Sequence, residues 1–132
     1  MSKFKGKYHR EHCYSRFTKD LVRRSRSRCE LCGQGNHRLS IMELEPLTPE
    51  PSPENSLFLC DSCIKQINDP KKMNPHHWRF LSKTIWSDLP ALQVLSIRIL
   101  RRLELKQEVW ATELLDSVVI EEKILDWSAQ AE

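Results

Sequence analysis

Two Cys-x-x-Cys pairs, Cys29-Glu30-Leu31-Cys32 and Cys60-Asp61-Ser62-Cys63, constrain this chain more than any other feature. Each pair lets two sulfurs reach one ion while the residues between them turn back as a knuckle. Two pairs complete a closed shell of four thiolates. The chain holds five cysteines. Disulfide pairing would leave one thiol over, whereas one tetrahedral Zn(II) uses Cys29, Cys32, Cys60 and Cys63 and leaves Cys13 as an ordinary helix residue. An iron site or redox dithiols are the alternatives to zinc, though a lone pair rather than two distant ones would suggest thioredoxin-type chemistry. A chain of 132 residues buries one modest core, so a structural zinc contributing on the order of 10 kcal/mol is expected to be part of the fold.

Other classes fall away on composition. Only 3 Gly against 7 Pro, with no repeat of fixed period, argues against phosphate-cradling loops, dinucleotide folds and solenoids. No stretch approaches the roughly 18 consecutive apolar residues of a membrane span. Met1-Ser2-Lys3-Phe4-Lys5 leads into charges rather than a signal-peptide core, so a cytoplasmic protein with no membrane partner is expected.

The charge is unevenly placed. Residues 1–28 carry ten cations (Lys3, Lys5, Lys7, Arg10, Arg16, Lys19, Arg23, Arg24, Arg26 and Arg28) against Glu11 and Asp20, a surplus of eight. Since the whole chain is +3, residues 29–132 carry −5. A basic arm thus precedes an acidic body. With Tyr8, Tyr14 and Phe17 interleaved, the ten cations suit attachment to RNA or DNA, where each phosphate neutralised releases counterions. The competing reading is a structural clasp in which the arm docks on the body's own acidic helices; a protein partner is a third.

Periodicity supplies the elements. Tyr14, Phe17 and Leu21 form a stripe that predicts one helix over about 10–27, its last turn crowded with arginines that the helix dipole favours. Arg38-Leu39-Ser40-Ile41 alternates as a short strand leaving the first knuckle, and Leu57-Phe58-Leu59 reads as a strand delivering Cys60. Between them Pro46, Pro49, Pro51 and Pro53 impose an irregular loop. Cys63-Ile64-Lys65-Gln66-Ile67 opens a short helix stopped near Pro70. Further on, Ser87 or Asp88 caps a helix with Pro90 in its first turn and Leu92, Leu95, Ile99 and Leu103 at helical spacing. A short helix over about 107–116 follows, then one marked by Ile120, Ile124, Trp127 and Ala131. The fold class expected is α+β, mostly helical: an N-terminal arm (1–28), a four-cysteine treble-clef finger with a short β-hairpin (29–70) and a helical C-terminal subdomain packed on it (71–132).

Arg28-Cys29-Glu30-Leu31-Cys32-Gly33 and Asn55-Ser56-Leu57-Phe58-Leu59-Cys60-Asp61-Ser62-Cys63 resemble the two metal-binding halves of the His-Asn-His nuclease domain. Those nucleases place a general-base His just before a Pro between the knuckles, where this sequence has Met42-Glu43-Leu44-Glu45-Pro46. Their following His is here Ile64. Asn55 alone cannot activate water, so the chain is expected not to be an enzyme. Glu43 or Glu45 holding a Mg(II) is the alternative, with solvated glutamates on a strand edge the plainer reading. From about Arg24 to Ala129, Cys-Glu-Leu-Cys-Gly, His77-Trp78-Arg79 and Trp86-Ser87-Asp88-Leu89-Pro90-Ala91-Leu92-Gln93-Val94 resemble the N-terminal, proteobacterial-type domain of PhnA proteins, named for an alkylphosphonate-utilisation operon. That resemblance implies zinc at the same four cysteines and no established reaction. Many longer PhnA relatives continue into an SH3-like barrel, which does not follow before Glu132.

Several residues carry two readings. His76 and His77 are expected to pack and hydrogen-bond, with His77 holding a loop against the finger. His9, His12 and Cys13, at helical spacing, form a weaker candidate for a second metal, and His37 reads as a solvent-facing turn residue. Trp78, Trp86, Trp110 and Trp127 are expected as core anchors rather than base-stacking platforms. Arg98, Arg101 and Arg102 either grip phosphates or pair with Glu104 or Glu108 on a solvated face. Taken together, the sequence predicts a non-enzymatic zinc-binding adaptor contacting nucleic acid through its arm. The alternatives are a protein-interaction module, or a divergent metal-dependent nuclease or phosphonate-related hydrolase.

Overall fold

The second strand, β2 (Ser56–Cys60), is the piece on which the fold is assembled. It pairs antiparallel with β1 (Leu39–Glu43), Leu39 lying opposite Cys60 and Glu43 opposite Ser56. Ser56, Leu57, Leu59 and Cys60 are all buried, so β2 is covered on both faces. The computed structural model describes residues 6–130, with Lys7 and Tyr8 as backbone only. Lys3, Lys5, the side chain of Lys7 and Ala131 therefore lie outside the described residues. Within them the sheet has these two strands and the rest is mainly helical.

Helix α3 (Asp61–Asn68) follows β2 without a linker, one-turn 3-10 segments and the short α4 (Leu81–Thr84) come next, and α5 (Pro90–Leu105) forms the centre of the second half. Pro90 sits at the first helical position, where its missing N–H costs nothing. Ten of the 16 residues of α5 are buried, more than one amphipathic stripe allows, because α4, α6 (Val109–Ser117), α7 (Glu122–Ala129) and β2 all pack on it. Leu57, Leu59, Trp78, Leu81, Ile85, Ile99, Leu100 and Leu103 join in one continuous apolar cluster with the cysteines. No described helix is long and apolar enough to cross a membrane.

Four expectations need correction. The arm is two helices, α1 (Lys7–Tyr14) and α2 (Thr18–Ser25), rather than one. The chain breaks at Phe17, which is buried, and Thr18 Oγ1 donates to the Tyr14 carbonyl at 2.7 Å. The turn directs α1 at β1 and α2 at the first knuckle. Neither Ser87 nor Asp88 caps α5: the cap position is Leu89, and Ser87 Oγ accepts the Leu89 N–H at 3.0 Å. Trp86 is 59% exposed and anchors nothing in the core, whereas Trp78 is fully buried and Trp110 and Trp127 are half-buried.

The arginines of α5 turn to carbonyl and hydroxyl acceptors rather than to Glu104 or Glu108. Arg98, itself buried, donates to the carbonyls of Ser128 (3.1 Å), Trp127 (2.8 Å) and Glu45 (2.6 Å), closing the end of α7. Arg101 reaches Ser128 Oγ at 3.1 Å and Arg102 the Ile67 carbonyl at 2.8 Å. A helix's last carbonyls have no partner within the helix, and guanidinium groups supply it here.

Candidate metal centre

The first knuckle is shaped by Gly33. The Gly33 N–H donates to the Cys29 carbonyl at 2.9 Å and the Cys29 N–H to the Gln34 carbonyl at 3.0 Å, closing a tight loop. Gly33 has φ +78°, a region that favours glycine, so the residue after Cys32 is fixed by backbone geometry. Pairing of β2 with β1 brings the second pair opposite. Cys60 ends β2, and Cys63 lies in the first turn of α3.

The four sulfurs converge. Cys29 and Cys63 Sγ are 3.8 Å apart, Cys32 and Cys60 Sγ 3.7 Å, and all four lie within 4.8 Å of one another. Zinc–sulfur bonds of about 2.3 Å at tetrahedral angles require sulfur edges of about 3.8 Å. Cys29, Cys60 and Cys63 are buried and Cys32 is partly so. The donors, their spacing and their burial fit one tetrahedral, thiolate-loving ion.

By themselves, Cys29, Cys32 and Cys63 are pushed in different directions. Cys29 is lowered to about 4, chiefly by its hydrogen bond with Cys63, against burial and with help from the backbone amides of Cys60, Cys32 and Leu31. Cys63 is driven far up by the same bond, by burial and by the neighbouring sulfurs, and burial raises Cys32 to about 11. Cys29 is thus the readiest of the three to ionise, and a bound dication would favour the thiolate form of Cys32 and Cys63 as well.

His77 completes the surroundings. Its Nε2 lies 3.3 Å from Cys63 Sγ, and burial pushes its pKa down; once a metal holds Cys63 as thiolate, a neutral ring carrying its proton on Nε2 would donate to the sulfur. The ring is held edge-on by Trp78 (5.0 Å) and Phe80 (5.6 Å), while Trp78 Nε1 donates to Gln66 Oε1 at 2.9 Å. His77 therefore ties its 3-10 turn to the second knuckle and His37 is exposed, both as expected, whereas His76, expected to pack, is exposed.

The arm is bolted to this finger by two buried carboxylates. Arg10, 6% exposed, donates from Nε to Glu43 Oε2 at 2.8 Å, pairs through Nη2 with Glu43 Oε1, and reaches the Thr48 carbonyl at 2.9 Å. Tyr14 OH donates to Glu43 Oε2 at 2.6 Å. Burial works to raise the Glu43 carboxyl, but these donors outweigh it and hold the group below its usual range. Burial, then the bond to Glu43, pushes the Tyr14 hydroxyl up. One helix further, Arg24 grips Glu30 through Nε and Nη2 at 2.8 and 2.7 Å and donates to the carbonyls of Pro53 and Ser56. Glu30, between the first two cysteines, also accepts the Phe58 N–H at 2.8 Å, joining arm, knuckle and strand.

Arg10 and Arg24 are therefore removed from the surface-binding set: each is committed to a carboxylate and to backbone carbonyls inside the molecule. The arm's acidic partners on the body lie on a strand, a knuckle and the proline-rich loop rather than on helices. Arg16, Lys19, Arg23, Arg26 and Arg28 are exposed, Arg23 in an open pair with Asp20 at 2.9 Å. Sequence reasoning missed Glu30 and Glu43 as anchors, since nothing local marks a carboxylate whose partner is brought up by tertiary folding. Glu43, occupied by Arg10 and Tyr14, is not placed to hold Mg(II). Comparison with models of protein families, with curated proteins and with solved structures gives no match for this chain.

Proposed function

We propose that this chain is a non-enzymatic structural-zinc protein of treble-clef type, a small binding module that contacts RNA or DNA through its N-terminal arm. The observation that carries the reading is the division of labour among the arm's cations. Arg10 and Arg24 anchor the arm, and Arg16, Lys19, Arg23, Arg26 and Arg28 stand exposed on the chain leading into the first knuckle. Cations held by a folded arm lose little freedom on meeting a polyanion. Zinc is the ion that best suits four thiolates at tetrahedral spacing. The order knuckle, hairpin, helix supports the treble-clef assignment, and the resemblance to the PhnA N-terminal domain over residues 24–129 is kept as its family expectation. A closed thiolate shell leaves no position for a reacting water, and Glu43 is engaged elsewhere, so hydrolysis has less support.

The test is a titration of zinc-loaded protein against labelled RNA and duplex DNA at several salt concentrations. Beside it runs a variant with Arg16, Lys19, Arg23, Arg26 and Arg28 all changed to Gln. Five engaged cations predict an affinity loss on the order of 100-fold or more as salt rises about fourfold, and a much flatter dependence in the variant. No salt-dependent binding by folded protein contradicts the reading. A protein partner then leads, favoured by the exposed apolar side chains Val119 (91%), Leu105 (85%) and Trp86 (59%).

A further inference from the structure

A second group of ligating atoms converges where α1 meets the proline-rich loop. His9 and Cys13 stand four residues apart on α1, a spacing that puts both side chains on one face. Glu50 reaches them from the loop. His9 Nε2 lies 2.9 Å from Glu50 Oε2, and Cys13 Sγ lies 3.4 Å from both His9 Nε2 and Glu50 Oε2. Cys13 is 3% exposed, so its sulfur faces inward against the loop rather than solvent. The group differs from the one the sequence suggests: His12 is exposed and takes no part, and Glu50, distant in the chain, takes its place.

We propose that His9, Cys13 and Glu50 form a second metal site, which takes Zn(II) and clips α1 to the loop. The donor set is one imidazole nitrogen, one sulfur and one carboxylate oxygen. Mg(II) and Ca(II) select oxygen, whereas zinc accepts all three donors. Zinc bonds of about 2.0–2.3 Å at tetrahedral angles require ligand edges of about 3.3–3.7 Å. Two edges are 3.4 Å already. The third, at 2.9 Å, has to open by a few tenths of an ångström, and the Glu50 side chain, 56% exposed, has room to move. Charge also balances: a thiolate and a carboxylate neutralise the dication, and the imidazole binds neutral. The thiol proton leaves to solvent on binding. Nearby Arg10 does not oppose the cation strongly, because Glu43 already neutralises it.

His9 and Glu50 are both partly exposed, so water completes the fourth position. Arg10–Glu43 fixes the arm permanently one residue along from His9, and the metal adds a second attachment that depends on zinc supply. This site shares no residue with the four-cysteine cluster and does not depend on nucleic-acid binding.

The experiment starts from full-length protein carrying one equivalent of zinc and titrates Co(II) into it. A second equivalent is expected, with tetrahedral d–d bands and a weak charge-transfer band of a single thiolate. Cys13→Ser should abolish that charge-transfer band, and Glu50→Gln, a change at an exposed position, should weaken the second equivalent at least tenfold while the first is retained. In parallel, the second equivalent of Zn(II) should slow tryptic cleavage after Arg16 several-fold in the parent protein and not in either variant. No second equivalent, or one that Cys13→Ser and Glu50→Gln leave unchanged, overturns the site. Binding without slowed cleavage overturns the clip.

Discussion

The two halves of this molecule hold together by different means. Around α5 the second half depends on apolar burial: ten of its 16 residues are inside, and its polar bonds mostly close helix ends. The first half buries fewer apolar side chains, Phe17, Leu21, Leu31, Leu44, Leu57, Leu59 and Ile67 among them. It relies in addition on four converging sulfurs and on two carboxylates, Glu43 and Glu30, clamped by Arg10 and Arg24. Apolar burial is indifferent to metal and nearly so to pH, whereas thiolates and ion pairs depend on both. The lesson is that one cooperative cluster can join a half whose order is conditional to a half whose order is not.

Removing the metal should have the largest effect. Chelation withdraws a contribution on the order of 10 kcal/mol from the finger, so amide exchange should accelerate through residues 29–44 and 56–68 and through α2, while α5 keeps most of its protection. Next comes the arm's anchor. Arg10→Met leaves Glu43 charged in a buried place and should cost about 3–5 kcal/mol, whereas Arg10→Met with Glu43→Leu should recover most of it; denaturant unfolding of zinc-loaded protein measures both. Leu100→Ala, at a fully buried position of α5, should cost about 2–5 kcal/mol, and unlike the Arg10 change it should cost the same in acid as at neutral pH.

The pH dependence sharpens that contrast. Glu43 has a folded pKa below its ordinary value of 4.5, so its contribution is fully present above 4.5 and is lost as pH falls through the folded value. The stability gap between the parent protein and Glu43→Gln should therefore be flat at neutral pH and shrink in acid. The smallest effect is expected at His77. His77→Phe keeps the ring packing on Trp78 but deletes the hydrogen bond between Nε2 and Cys63 Sγ, costing about 1 kcal/mol in unfolding and raising the rate at which a chelator extracts zinc.

What could be seen in the sequence follows the same division. The cysteine pairs, both strands, Pro90 and the helical spacing of Leu92, Leu95, Ile99 and Leu103 are local patterns, and each recurs in the structure within a few residues of its expected place. The break between α1 and α2 was not legible, because Tyr14, Phe17 and Leu21 suit one helix until Arg10 and Arg24 must reach different carboxylates. Arg10–Glu43 spans 33 residues and Cys13–Glu50 spans 37. Nothing in a short window marks such pairs, since a glutamate reads as solvated until tertiary structure buries it. Arg98, Arg101 and Arg102 were obscure for a related reason: their acceptors are mostly backbone carbonyls, which every residue has and no sequence pattern advertises.

The central claim is that Cys29, Cys32, Cys60 and Cys63 form one closed tetrathiolate zinc site. The direct measurement is zinc X-ray absorption on the Cys13→Ser variant loaded with a single equivalent. The account predicts four sulfur neighbours at about 2.3 Å and no nitrogen or oxygen in the coordination shell. A mixed shell, fewer than four sulfurs, or failure of the folded protein to retain zinc would contradict it.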